Sequence, residues 1–239
     1  MVKSERSFGG ELHSWEQAEM LFQQVRDLMS QQYDAELPKP DLVRTPDRAD
    51  SFMCAIPPHA PIEFFFAHDP IHQILQGPNR FGKVGDNSVI LYNDPQKTDG
   101  TRRTSDYATG FAHEIGHCAL YTHNELTSGT RESYFVQSSD PLSVLHEGIA
   151  TVFERDFSTY LLTDDNARRY GVGNFEKIMR KVSRRIGELC PIRISASARF
   201  NNNSYKTVVG IMGNLGLRMA EVLKNPNLVY DQIQKINQE

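Results

Sequence analysis

The chain has 239 residues, of which 39% are hydrophobic, enough for one buried core arranged in one or two lobes. Its formal net charge of -4 argues against a general nucleic-acid-binding protein, because such proteins carry a basic surface. The 3 cysteines are scattered and no apolar run is long enough to span a bilayer, so neither a disulfide-rich domain nor a membrane protein is expected. The expected compartment is the cytoplasm, with signal-independent secretion as the alternative, because the polar segment 1–11 is not a Sec-type signal.

The N-terminal part of the chain predicts one helix followed by a small twisted sheet. Apolar residues recur at helical spacing over residues 14–32. Three short extended runs follow at residues 41–44, 62–66 and 88–92, separated by turn-rich segments. From about residue 106 onward the signals are mainly helical, which predicts an α+β protein.

The most informative motif is His113-Glu114-Ile115-Gly116-His117. Apolar neighbours are spaced for a buried helix, and Ser105 or Asp106 is expected to cap its start. On a helix this spacing puts both imidazoles on one face. Each histidine alone is explained by a hydrogen bond in the core, but the pair with an adjacent carboxylate is typical of a zinc site. The motif predicts a Zn²⁺ bound by His113 and His117, with Glu114 as general base.

A catalytic zinc needs a third protein ligand, and the chain offers two candidates downstream. Glu147 lies in a helix predicted to begin at a capping Asp140, and Glu154 falls on the same face, where it can hydrogen-bond a ligating histidine. His123 has the spacing of a three-histidine site, but that pattern needs a glycine where this chain has Leu120. These features favour Glu147 over His123.

Later elements are predicted from composition and periodicity. Residues 122–139 are polar and glycine-bearing and are expected to form a surface loop near the cleft. Residues 174–189 predict an amphipathic helix with a basic, solvated face. Gly148 and Ala150 are small enough for the Glu147 helix to approach another helix closely.

Two segments together resemble the gluzincin clan of zinc peptidases, whose metal ligands are two histidines and one glutamate. The segments are His113-Glu114-Ile115-Gly116-His117 and Leu145-His146-Glu147-Gly148-Ile149-Ala150, the latter with Glu154 seven residues after Glu147. The second segment is similar to the alanyl and leucyl aminopeptidases, and the first to the Taq-type metallocarboxypeptidases. The chain lacks the Gly-x-Met-Glu-Asn segment with which those aminopeptidases hold a free amino terminus, so the resemblance does not imply an exopeptidase.

The resemblance implies two further roles. Tyr205, with Ser204 opening a late helix, is similar to the transition-state tyrosine of the aminopeptidases and is expected to donate to the oxyanion. The alternative is a tyrosine that only packs at the start of a helix, and Arg199 is a weaker candidate donor. Residues 88–92 are placed like the edge strand that binds the substrate backbone, with a plain core strand as the alternative.

The sequence therefore predicts a zincin-like α+β fold in a single domain, residues 1–239. Residues 1–120 form an upper lobe with the small sheet and the zinc helix, and residues 121–239 form a mainly helical lower lobe. The expected activity is that of a zinc metallopeptidase, acting as an endopeptidase on a peptide or protein substrate, with one catalytic Zn²⁺ and no nucleic-acid or membrane partner. The alternatives are a zinc hydrolase of a non-peptide amide or ester and a metal-stabilised binding module without turnover.

Overall fold

A computed structural model describes residues 15–45, 53–59, 85–93, 104–123, 140–162 and 196–238. Over these ranges the chain is mixed α+β and mostly helical, with one three-stranded sheet. The elements in chain order are α1 (Trp15–Tyr33), β1 (Asp41–Thr45), β2 (Met53–Ile56), β3 (Val89–Asn93), α2 (Thr104–Leu120), α3 (Pro141–Leu162), α4 (Ala196–Leu215), α5 (Met219–Lys224) and α6 (Asn227–Ile236). None of the described helices combines the length and the apolar composition that a bilayer-spanning segment needs.

The sheet has the strand order β1-β3-β2, with β1 parallel and β2 antiparallel to β3. The strand predicted at residues 88–92 is therefore the central one, and its assignment as a substrate-binding edge is wrong, because neighbouring strands occupy both of its sides. The sequence analysis did not predict β2, which pairs with β3 on one side only. The strand predicted at residues 62–66 lies outside the described residues.

Aromatic packing joins the N-terminal helix, the sheet and α2 into one core. Phe111 on α2 is fully buried, with its ring centroid 5.4 Å from that of Phe22 on α1 and 5.8 Å from that of Tyr92 on β3. Both ring pairs are edge-to-face, the arrangement that the aromatic quadrupole favours. The core therefore fixes α2 against α1 and the sheet from one side.

Two glycines let α3 pack tightly between α2 and α4. A Cβ added to Gly116 on α2 would lie 2.7 Å from the Cα of Ala150 on α3, and one added to Gly148 would lie 2.8 Å from the backbone oxygen of Ser204 on α4. Real side chains do not tolerate such distances, so glycine is required at both contacts. The expected close approach through Gly148 and Ala150 is confirmed.

Helix boundaries agree with the sequence at α3 and differ at α2 and α4. The backbone N–H of Ser143 donates to Oδ2 of Asp140 at 3.1 Å, which confirms the predicted cap of α3. Both Ser105 and Asp106 lie inside α2, which begins at Thr104, so the predicted cap is wrong. The prediction that Ser204 and Tyr205 open a helix is wrong. The helix α4 begins at Ala196, and both residues lie in its middle. Packing against α3 outweighs the low helix propensity of the asparagines before Ser204.

Several predictions lie outside the part of the chain that the structure describes. These are the basic helix at residues 174–189 and most of the loop at residues 122–139. The division of the chain into two lobes stays a prediction.

Candidate metal centre

The two histidines of the motif lie on one face of α2. His113 and His117 are separated by one helical turn, and their ring centroids lie 5.0 Å apart. Their side chains are 15% and 11% exposed, because α2 is a core helix whose neighbouring apolar residues are buried. The predicted shared face is therefore confirmed, and it is nearly dry.

Helix α3 brings Glu147 to both histidines. The Oε2 atom of Glu147 lies 3.6 Å from Nε2 of His113, and its Oε1 atom lies 3.7 Å from Nε2 of His117. One ligand atom from each of the three side chains lies within 4.8 Å of the others. The group formed by His113, His117 and Glu147 can therefore hold a metal ion.

The competing ligand, His123, is directed elsewhere. The chain leaves helical geometry after Leu120, and Nε2 of His123 lies 3.0 Å from the carbonyl oxygen of Leu223 at the end of α5. A ring nitrogen at this distance from a carbonyl donates a hydrogen bond to it. His123 thus fastens the end of α2 to α5, while Glu147 occupies the position of a third ligand.

Glu154 orients His113 through the ring nitrogen that does not face Glu147. Its Oε2 atom lies 3.2 Å from Nδ1 of His113, seven residues along α3 from Glu147. Because a carboxylate only accepts, Nδ1 of His113 carries the proton of this hydrogen bond, and Nε2 is left facing Glu147. Carboxylates commonly fix the tautomer of metal-binding histidines in this way. The expected contact of Glu154 with a ligating histidine is confirmed.

Glu114 is tied to the edge of the sheet. Its buried carboxylate accepts a hydrogen bond of 2.7 Å from the backbone N–H of Ala55 on β2. Burial raises the pKa of Glu114 to about 7, although the charge of His113 and the Ala55 hydrogen bond oppose that rise. The carboxyl beside the metal-binding group is thus poised to exchange a proton near neutral pH.

Burial and mutual contacts shift the pKa values of the three side chains of the group. Burial alone would lower the pKa of His113, but the neighbouring carboxylate of Glu147 and the hydrogen bond to Glu154 hold it well above its ordinary value. Burial lowers the pKa of His117 to about 3. Burial would raise the pKa of Glu147, but the close contact with His113 and the nearby imidazoles bring it down to about 2. A neutral His117 and a charged Glu147 are ready to bind a metal, whereas His113 must first release a proton.

Three neighbours of the group were missed by the sequence analysis. Tyr121 and His146 are buried, and their rings lie 5.2 Å apart, each also facing the ring of His117. The backbone of Ala55 holds Glu114. Tyr121 follows His117 at the same spacing that joins the two histidines, so helical periodicity could have found it. Ala55 acts through its backbone, which leaves no signal in the sequence.

The predicted oxyanion donor, Tyr205, packs against Arg155 of α3. The guanidinium of Arg155 lies 3.9 Å above the ring of Tyr205, and the same guanidinium donates to the Asn202 side chain at 3.0 Å. These contacts concern the ring face, and the role of the Tyr205 hydroxyl stays a prediction. The side chain of Arg199 lies outside the described part of the chain.

Both described cysteines, Cys54 and Cys118, are free, and Cys190 lies outside the described residues. Burial, together with the negative charges of Glu114 and Glu147, raises the pKa of Cys54 to about 12, which keeps it a neutral thiol.

Comparison with family models, with curated proteins and with solved structures finds no match to this chain. The described structure shows a group of two histidines and one glutamate that can hold a metal ion.

Proposed function

We propose that this chain is a zinc-dependent peptidase of the gluzincin type, with a zincin-like fold. His113, His117 and Glu147 bind one Zn²⁺, and Glu114 is the general base. The observation that carries the proposal is the meeting of Glu147 with both histidines directly beside a buried, hydrogen-bonded Glu114. A site that only stabilises a fold has no need of a base in that position, so the arrangement favours a hydrolase over a binding module.

The donor set fits zinc. Metal–ligand bonds of about 2.0–2.1 Å place two ligands of a tetrahedral zinc roughly 3.3 Å apart. The separations of 3.6 and 3.7 Å from the two oxygens of Glu147 to the imidazoles are slightly longer, and one atom from each of the three side chains lies within 4.8 Å of the others. The Oε2 atom of Glu147 is buried and has no hydrogen-bond partner among the described residues, as expected of an atom reserved for a cation. Two imidazoles and one carboxylate leave one position of a tetrahedral site for water or substrate.

In this mechanism the protein supplies the proton transfers. A bound zinc ion supplies a water of lowered pKa and a positive charge that polarises the scissile carbonyl. Glu114 takes a proton on its carboxylate during attack and then delivers it to the leaving amine. The Ala55 N–H holds Oε2 of Glu114 and so restricts its orientation during both transfers. Tyr205 is retained as the proposed donor to the carbonyl oxygen as that oxygen gains charge.

The outer edge of β2 positions the side chain of Glu114. Ala55 directs both of its backbone groups away from β3, its N–H to Glu114 and its carbonyl oxygen to the hydroxyl of Tyr121 at 3.4 Å. The outer edge of β2 therefore faces the metal-binding group. These two hydrogen bonds already use the outward-facing backbone groups of Ala55, so β2 holds Glu114 and Tyr121 in place beside the metal-binding group.

Replacement of the base tests the proposal. The zinc-loaded protein is incubated with a peptide library, beside Glu114→Gln and the control Glu19→Gln, which changes an exposed carboxylate on α1. We expect Glu114→Gln to keep its zinc and to lose turnover by about 10²–10⁴-fold, since it has lost a general base. Glu19→Gln should behave as the wild type.

Three results would count against this assignment. A Glu114→Gln protein that still cleaves peptides removes Glu114 from the mechanism. A wild type that hydrolyses only esters or non-peptide amides is a zinc hydrolase but not a peptidase. A zinc-loaded wild type without any turnover is a binding module.

A further inference from the structure

The two histidines of the metal-binding group are held in different ways. The ring of His113 is fixed by the hydrogen bond from its Nδ1 atom to Glu154. The Nδ1 atom of His117 is buried and has no hydrogen-bond partner among the described residues. Histidine ligands of metals almost always donate their second N–H to an acceptor, which sets the tautomer and the orientation of the ring. His117 lacks that contact in the described structure, so packing is left to orient its ring.

Two buried rings pack on His117. The ring of Tyr121 lies at 17° to that of His117 with the centroids 6.5 Å apart, and the ring of His146 lies at 20° with the centroids 5.8 Å apart. The rings of Tyr121 and His146 are themselves 5.2 Å apart. All three separations fall within the range of about 4.5–7 Å over which aromatic rings attract one another. His117 is thus one member of a cluster of three mutually packed rings.

The ring cluster joins the two helices that carry the ligands. Tyr121 lies one turn beyond His117 at the end of α2, and its backbone N–H donates to the carbonyl oxygen of His117 at 3.1 Å. His146 directly precedes Glu147 on α3. Because α2 supplies one ring and α3 the other, the cluster links the orientation of His117 to the position of Glu147.

Both packing rings are restrained in their turn. Tyr121 is 6% exposed and His146 is 8% exposed, and side chains in such close-packed surroundings have few alternative rotamers. The hydroxyl of Tyr121 donates to the carbonyl oxygen of Ala55 at 3.4 Å, which is long for a hydrogen bond from a hydroxyl. The packing of the Tyr121 ring, more than its hydroxyl, therefore keeps it against His117.

We propose that Tyr121 and His146 are positioning residues, whose rings hold the imidazole of His117 in the orientation in which its Nε2 atom binds the metal. Glu154 performs this task for His113 through a hydrogen bond, and the two rings perform it for His117 through packing. The inference rests on the metal binding that is part of the function proposed above. It adds two residues outside the ligand set that determine metal affinity.

Zinc affinity with and without the rings tests this role. The Kd for zinc is measured by competition with a chromophoric chelator for the wild type, Tyr121→Leu, His146→Leu and Tyr121→Phe, each shown to be folded by circular dichroism. We expect Tyr121→Leu and His146→Leu to bind zinc about 5- to 20-fold more weakly, because a ring freed from packing must be ordered again when the metal binds. Tyr121→Phe keeps the ring and should stay within about two-fold of the wild type.

The matched control is Tyr107→Leu. Tyr107 is a fully buried tyrosine on the same helix, and its ring packs on Phe111 rather than on a ligand. This variant also loses the packing of a buried ring, but it should bind zinc as tightly as the wild type. Cobalt(II) in place of zinc gives a second readout, because its visible absorption spectrum depends on the arrangement of its ligands. The spectrum should change in Tyr121→Leu and His146→Leu and stay unchanged in Tyr107→Leu.

The remaining outcomes separate this inference from the proposed function. A variant at Tyr121 or His146 that binds zinc as tightly as Tyr107→Leu overturns the positioning role of the residue replaced, while the metal site stands. If Tyr121→Phe loses as much affinity as Tyr121→Leu, the hydroxyl and not the ring is the determinant, and packing by Tyr121 is overturned. Should Tyr121→Leu fail to fold, His146→Leu decides in the same way. A wild type that binds no zinc overturns the inference together with the proposed function.

Discussion

At the scale of single residues, the hydrogen bond between Glu154 and His113 has a measurable consequence. Glu154→Gln replaces a charged acceptor by a neutral one, so Nε2 of His113 becomes a poorer donor to a metal and its ring is less firmly oriented. We expect metal affinity to fall about 10- to 100-fold, measured by competition with a chromophoric chelator. Glu19→Gln serves again as the control. An unchanged affinity in Glu154→Gln would mean that Glu154 does not act on the ligand.

The ligand group itself could be predicted from residues alone. The spacing of His113 and His117 fixes their shared helical face, and the chemistry of Glu147 with its capped helix distinguished it from His123. The contact of Ala55 with Glu114 could not be predicted, because it joins a backbone N–H to a side chain 59 positions away. No local pattern encodes such a contact.

At the scale of elements, the close contact of α2 with α3 positions the ligands. Gly116→Ala would place a methyl group 2.7 Å from the Cα of Ala150, so the helices must separate. We expect a loss of about 1–3 kcal/mol in the free energy of unfolding, with weaker metal binding, because Glu147 moves away with α3. Urea unfolding and metal titration measure the two effects.

The matched control for this substitution is Gly210→Ala on α4. Nothing lies within 4 Å of a Cβ built there, so the change adds helix propensity without a clash. It should stabilise the protein by about 0.5–1 kcal/mol. A Gly116→Ala protein as stable as Gly210→Ala would contradict the tight packing of α2 on α3.

Helices with a clear apolar period were easier to predict than strands. The helix α1 was predicted at residues 14–32 and observed at Trp15–Tyr33, because its buried face recurs at helical spacing. In contrast, β2 has only four residues, Met53–Ile56, without alternation of polar and apolar side chains. Its position comes from pairing with β3 and from the bond of Ala55 to Glu114, which are both long-range contacts.

At the scale of the whole molecule, a polar contact ties the first helix to the metal-binding helix. The hydroxyl of Tyr33 on α1 donates to Oδ2 of Asp156 on α3 at 2.9 Å. Burial raises the pKa of Asp156, and the Tyr33 hydrogen bond opposes that rise. A carboxyl with a raised pKa binds its proton more tightly in the folded state, so its stabilising contribution is present at low pH. That contribution is lost as the pH rises through the folded pKa.

Removal of this hydroxyl should therefore lower the free energy of unfolding by an amount that depends on pH. Tyr33→Phe leaves the partly buried carboxylate without its donor and raises the pKa of Asp156 further. We expect a loss of about 1–3 kcal/mol at about pH 8, and a smaller loss at about pH 4, where a larger fraction of Asp156 is protonated. Urea unfolding at both values measures it, with Tyr230→Phe as the control, a half-buried tyrosine on α6. An equal cost at both values would show that the charge of Asp156 is not involved.

The overall class of fold followed from the sequence, but the order of the strands did not. Extended runs before a series of helices predict an α+β protein, as observed in the described residues. The position of β3 between β1 and β2 depends on contacts between distant segments. A short apolar run in the sequence does not distinguish a central strand from an edge strand. The zincin-like architecture is accordingly a proposal that rests on the site.

The most direct test of the central claim is the metal content of the purified wild type, Glu147→Ala and His123→Ala after zinc loading. It examines the ligand group without knowledge of the substrate. We expect about one zinc per chain in the wild type and in His123→Ala, and none in Glu147→Ala, because Glu147 completes the group with His113 and His117 while His123 bonds to Leu223. Zinc retained in Glu147→Ala, or absent from the wild type, would contradict the account.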